Sequence, residues 1–262
     1  MPLTTAELQA LHDDGFVVLR DVLPQSLRGP AMRRINHYLA TINHDTEGKN
    51  YGLMQAVGES DEIRALYEHS PARPLAESLI GEGKCEPAPA AQMALRYPVL
   101  GELPPGRNDN WHLDSLLRGD GEPTSSGPAN FTLLVGMFLS DVATPGRGNF
   151  LVRPGGHLAL AAHFRKRGTS SETIKEARHV KLAPPHEVCC NPGDVVFCHH
   201  MVPHSSAGNT SPDIRYTCFL RLRRAGREPF VREMLTDPFC EWDGMPAAMQ
   251  QTTPPSHAGR PN

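Results

Sequence analysis

Between Pro87 and Leu222, short apolar segments alternate with Gly- and Pro-rich turns, and no other feature restricts the fold as tightly. The segments are residues 91–97, 131–139, 149–152, 187–190, 194–199 and 216–222. Each is short for a helix, and their β-branched and apolar content suits a pleated, half-buried surface. Repeated short strands closed by tight turns read as an antiparallel sandwich or barrel. A chain of 262 residues is long enough to fill one such core. No stretch in its middle has the composition of a linker, so residues 1–245 are expected to form a single domain.

The first third reads differently. Thr4 stands three residues before Glu7, the spacing of a capping box, and Leu8 and Leu11 continue an amphipathic helix that Gly15 stops. Residues 16–19 (Phe-Val-Val-Leu) follow as a buried strand. A second helical region opens at residues 24–27, and helical periodicity runs through Met32, Ile35, Leu39 and Ile42. Residues 62–67 and 74–80 predict two short helices, the second ended by Gly81 and Gly83, and residues 158–167 predict one more outside the sheets. The expected class is α+β, mainly β, with N-terminal helices outside a β core. Residues 115–130 are long for a loop and rich in Gly, Pro and Ser, which predicts a lid. Residues 246–262 are polar and Pro-rich and are expected to form a poorly ordered tail.

Charge and cysteine content exclude several classes of partner. A formal net charge of −3 with interspersed signs gives no electrostatic reason to expect nucleic acid or an acidic membrane surface. The N-terminus lacks the basic start and apolar run of a secretory signal, and no apolar stretch approaches the roughly 20 residues of a membrane span. The six cysteines, Cys189 and Cys190 being adjacent, fit neither a zinc ribbon nor a disulfide framework. Free thiols in a cytoplasmic protein are the expectation, with no membrane partner and a small molecule as the substrate.

The chemistry concentrates in two segments. Trp111-His112-Leu113-Asp114 places an imidazole and a carboxylate two residues apart, and in a strand such residues point the same way. A lone His-x-Asp recurs by chance in many chains. Later, Pro192-Gly193-Asp194 turns into the strand Val195-Val196-Phe197, beyond which His199, His200 and His204 are all available as a third ligand. Two histidines and one carboxylate bind iron(II) facially and leave the opposite positions open. Zinc sites more often use three histidines or thiolates, so the ligand mix favours iron. Arg215 heads the strand 216–222, eleven residues after His204, and a guanidinium pairs bidentately with a carboxylate.

The combined pattern resembles the phytanoyl-CoA dioxygenase family of iron(II)/2-oxoglutarate oxygenases. The matching residues are Asp14-Gly15-Phe16-Val17-Val18-Leu19, then Trp111 to Asp114, then Pro154-Gly155-Gly156-His157. The most specific part is the closing signature Gly193-Asp194, His204, Ser206, Asn209, Ser211 and Arg215, and the resemblance covers residues 5 to 225. It implies a double-stranded β-helix, the jelly roll or cupin-like fold, with a metal at the barrel mouth. It implies that His112, Asp114 and His204 hold iron(II), and that Arg215 with Ser206 holds the distal carboxylate of 2-oxoglutarate. Gln92, Arg96 and Thr132 are further candidates for contacts to that co-substrate. Gly156 stands where the family has Ser or Thr, which removes a hydroxyl but no ligand, and His157 is expected to be structural. His12, His37, His44, His69, His163, His179, His186 and His257 are expected to titrate in solvent, and Cys198 is expected to pack.

The activity so implied is oxygenation that uses O2 and 2-oxoglutarate, releases succinate and CO2, and hydroxylates an unactivated C–H bond of a small molecule. Related halogenases replace the carboxylate ligand with a small residue, so Asp114 argues against halogenation. Two other readings stand beside this one: a metal-binding jelly roll without oxygenase activity, and a zinc-dependent hydrolase on the same triad.

Overall fold

A computed structural model describes residues 2–41, 50–51, 55–101, 110–114, 116–117, 131–227 and 232–250. Helix α1 (Thr5–Asp13) begins with the expected capping box, in which the Thr4 side chain accepts from the Glu7 amide and Glu7 returns the bond. Gly15 has φ +80, and a Cβ there would lie 2.4 Å from Val202 and 2.6 Å from His157. Only glycine makes this turn, which leads into β1 (Phe16–Leu19). α2 (Gln25–Leu39) runs unbroken through Pro30. Pro30 removes one helical hydrogen bond, and burial of Ala31, Ile35 and Leu39 outweighs that loss.

The short strand β2 (Asn50–Tyr51) and the one-turn helix α3 (Gln55–Gly58) precede α4 (Asp61–Glu68) and α5 (Ala72–Ile80). Then come β3 (Gln92–Arg96), β4 (Leu133–Phe138), β5 (Phe150–Val152), α6 (Gly156–Arg167) and α7 (Ser171–Glu176). The chain continues through β6 (His186–Val188), β7 (Val195–His199), β8 (His204–Ser206) and β9 (Arg215–Leu222) to α8 (Ala247–Gln250). Neither α7 nor β8 was expected. The Ser170 side chain caps α7 by accepting from the Thr173 amide, and polar β8 owes its form to pairing with β5. The first turn of the expected tail is helical in α8, and residues 251–262 lie outside the described residues.

Two antiparallel sheets face each other. The larger has strand order β1-β7-β4-β9-β3-β2 and the smaller β6-β5-β8. Period-two alternation sorts the side chains of the larger sheet. Leu133, Val135 and Met137 of β4, with Val195 and Phe197 of β7 and Leu220 and Leu222 of β9, join the core under the helices. Leu134, Phe138, Val196, Cys198 and Phe219 join Phe150, Val152 and Val188 in the core between the sheets. The result is a jelly roll with helices outside, as the resemblance implied. Among the described residues no helix is long and apolar enough to cross a membrane.

Candidate metal centre

His112 and His204 come together through their backbones. The His112 N–H donates to the His204 carbonyl (3.0 Å), and the His204 N–H returns a bond to the His112 carbonyl (3.1 Å). Residues 111–114 do not form a continuous strand. His112 makes an isolated bridge to His204, Leu113 makes one to Leu117, and Asp114 lies in the turn that the second bridge closes. Leu116 and Leu117 are buried with Leu113, Leu160 and Phe164, while Ser115 and residues 118–130 of the expected lid lie outside the described residues.

One ligand atom from each of His112, Asp114 and His204 lies within 4.8 Å of the others, the only such group found among the described residues. The Asp114 Oδ1 is 3.3 Å from His112 Nε2, and its Oδ2 is 3.6 Å from His204 Nε2. The His204 Nδ1 faces the Val202 carbonyl at 2.9 Å, which fixes Nε2 as the atom presented to a metal. Burial would raise the Asp114 pKa, but His204, His112 and Arg221 hold it well below the carboxylate range. Burial, with His204 beside it, pushes the His112 pKa down. A charged carboxylate with a neutral imidazole is the protonation state that a divalent cation needs. Two nitrogens and one carboxylate converge beside an open cavity of about 130 Å³, and this donor set fits iron(II).

Deeper in the barrel Arg215 is buried (1% exposed). Its Nη1 donates to the Gly148 carbonyl (2.5 Å) and to Ser206 Oγ (3.4 Å), and its Nη2 donates to the Ala94 carbonyl (3.0 Å). Its buried Nε has no hydrogen-bond partner, and no described carboxylate pairs with it. Burial, then the neighbouring Arg96, pushes its pKa down to about 9, so it remains charged at neutral pH. Gly148 has φ +72, and a Cβ there would press within 2.7 Å of the Arg96 Cγ. The closing signature has a structural logic as well. Asn209 Nδ2 donates to the Arg96 and Asp213 carbonyls, while its Oδ1 accepts from the Ser211 amide and hydroxyl. That side chain folds the turn that delivers Arg215 to the head of β9.

The other expected residues divide. Gln92 lines the cavity. Arg96 continues the same face of β3 but lies beyond the cavity wall, paired in register with Arg215. Thr132 is a correction: its hydroxyl accepts from the Arg224 amide (3.0 Å) and donates to Glu241 (3.3 Å), away from the cavity. His199 is excluded as a ligand because its Nε2 faces the Pro238 carbonyl (2.6 Å) and its Nδ1 accepts from the Met201 amide. His157 is structural, with Nε2 on the His12 carbonyl at 3.0 Å. His12 stacks on Phe239, and the His163 ring faces the Thr173 carbonyl. Sequence reading missed Arg221, whose Nε and Nη2 both donate to Asp114 Oδ2 (2.9 and 2.6 Å). Counting by two along β9 from Arg215 finds it.

Fold and site define a jelly-roll enzyme dependent on iron(II) and 2-oxoglutarate. The sequence matches the family model of phytanoyl-CoA dioxygenase (PhyH) over residues 11–217, and the chain belongs to this family. No curated protein sequence matches the chain. Among solved structures, it resembles the non-heme alpha-ketoglutarate-dependent carbocyclase SnoK from nogalamycin biosynthesis, with 19% identity and a TM-score of 0.60 over 86% of this chain and 88% of that one. The epimerase SnoN, in complex with Fe3+, alpha ketoglutarate and nogalamycin RO, gives 20% and 0.58 over 84% and 82%. EctD from S. alaskensis with bound Fe gives 20% and 0.55 over 85% and 77%. At these identities the likeness bears on the fold.

Proposed function

We propose that this enzyme hydroxylates an unactivated C–H bond of a small molecule, coupled to conversion of 2-oxoglutarate and O2 into succinate and CO2. The observation that carries the reading is the His112–Asp114–His204 triad with the buried cation of Arg215 behind it. An iron(II) held by His112, Asp114 and His204 would supply the redox chemistry that couples O2 to 2-oxoglutarate. His112 and His204 offer ring nitrogens and Asp114 a carboxylate oxygen. Arg215 and Ser206 bind the distal carboxylate of the co-substrate, and a carboxylate there gives the Arg215 guanidinium the anion that its buried position lacks. Leu134, Phe150 and Phe219 form the apolar wall of the cavity and exclude water from the reacting centre. Retention of Asp114 leaves no place for a halide ligand, which favours hydroxylation, desaturation or another oxidative step over halogenation.

The test is an anaerobic titration of the iron(II)-loaded protein with 2-oxoglutarate, following the weak visible charge-transfer band of a chelated keto acid. The band is expected in wild type. Arg215→Ala is expected to weaken co-substrate binding by about 2–5 kcal/mol, thirtyfold or more in Kd. If iron binds and no band forms at saturating 2-oxoglutarate, the co-substrate assignment is wrong, and a hydrolase or a metal-binding module takes its place.

A further inference from the structure

Among the described residues lining the cavity, Arg221 is the only arginine or lysine. β9 puts it there, because Arg215, Phe219 and Arg221 share one face of the strand. Asp114 takes bonds from Nε and Nη2, and Gln92 Oε1 takes one from Nη1 at 2.9 Å. A guanidinium carries five N–H groups. One therefore remains on each terminal nitrogen, on a side chain that is 31% exposed. The Phe131 ring, 5.9 Å from Cζ, backs the guanidinium and holds its plane.

Its position separates it from Arg215. Arg221 grips a metal ligand, so it stands beside the metal itself, whereas the distal carboxylate of a chelated 2-oxoglutarate is carried two methylenes away. With iron(II) and the co-substrate dianion in place, the charges of Asp114, Arg215 and Arg221 leave the site net positive. We propose that Arg221 is a specificity-determining residue: anchored on Asp114 and Gln92, it turns its two remaining N–H groups to an anionic group of the substrate, a carboxylate or a phosphate. The proposal rests on the oxygenase reading above. It deepens that reading by naming the substrate class, since a planar fork of donors suits paired anionic oxygens better than a neutral amide.

Paramagnetic relaxation tests the proposal without turnover. Protein loaded with Mn(II) and saturating 2-oxoglutarate is titrated with trifluoroacetate, monofluorophosphate and neutral trifluoroacetamide, and 19F relaxation is read. Saturable relaxation of at least one anion, and none of the amide, is expected; which anion responds distinguishes carboxylate from phosphate. Arg221→Gln should weaken that anion tenfold or more, and Arg221→Lys should keep part of the affinity by retaining the charge. Mn(II) affinity by electron paramagnetic resonance and circular dichroism show that both variants are folded and loaded. Anion relaxation equal in Arg221→Gln and wild type, an amide that matches the anions, or no saturable probe at all overturns the proposal. The methylene protons of 2-oxoglutarate report from the same tube. If they relax, the co-substrate reading stands whatever Arg221 does; if they do not, that reading fails and takes the proposal with it.

Discussion

Two hydroxyls that look equivalent in the sequence serve different neighbours. Ser206 accepts from the Arg215 guanidinium, so Ser206→Ala is expected to cost about 1 kcal/mol of 2-oxoglutarate binding, roughly fivefold in Kd. Thr132→Val should leave that Kd unchanged, because its hydroxyl serves the Arg224 amide and Glu241. A titration of both variants against wild type checks the contrast, and a shifted Kd in Thr132→Val would restore it as a co-substrate contact. The triad and Arg215 were legible because their motif has fixed spacing, with Asn209 and Ser211 marking the turn between them. Thr132 was misassigned because strand parity gives a side chain's face but not its hydrogen-bond partner. Arg221 went unread because the motif ends at Arg215, although the same strand continues to it.

Apolar runs made the long strands readable to within a residue or two, since burial on both faces leaves little ambiguity in β4 and β7. β8 is His-Ser-Ser, and only its pairing with β5 makes it a strand, so no local signal announces it. The segment after β9 is tied down by a different device. Arg227 and Glu241 pair at 3.1 Å with side chains 2% and 1% exposed. Glu241→Ala leaves the guanidinium buried without that carboxylate and is expected to cost about 3–5 kcal/mol, visible as a lower urea midpoint. An Arg227→Met/Glu241→Leu double substitution should recover most of the loss; no recovery would mean that the carboxylate's bond to Thr132 dominates.

For the molecule as a whole, length and turn pattern allowed a sandwich or barrel, and only the resemblance narrowed that to a jelly roll. The packing of His157 and His199 around Phe239 and Trp242, with His200 against His199, was invisible, because no spacing brings α6, β7 and the C-terminal segment together. Burial pushes all three imidazoles down, His199 to about 4 from an ordinary 6.5. The unfolded chain then binds more protons below pH 6.5, so stability is full above that value and falls as pH drops toward 4. His199 contributes up to about 1.4 kcal/mol per pH unit in that window. Urea midpoints of metal-free protein should decline from pH 7 to 5, and His199→Gln should flatten the decline; an unchanged slope would show that these imidazoles do not control it. The reciprocal backbone bonds between His112 and His204 carry a different consequence. They fix the separation of two ligands by folding alone, so little ordering entropy is left for a cation to overcome. Affinity then follows the coordination preferences of the ions themselves, and along the Irving–Williams series nickel and copper should outcompete iron in vitro. Which metal the enzyme carries in a cell is then a matter of supply.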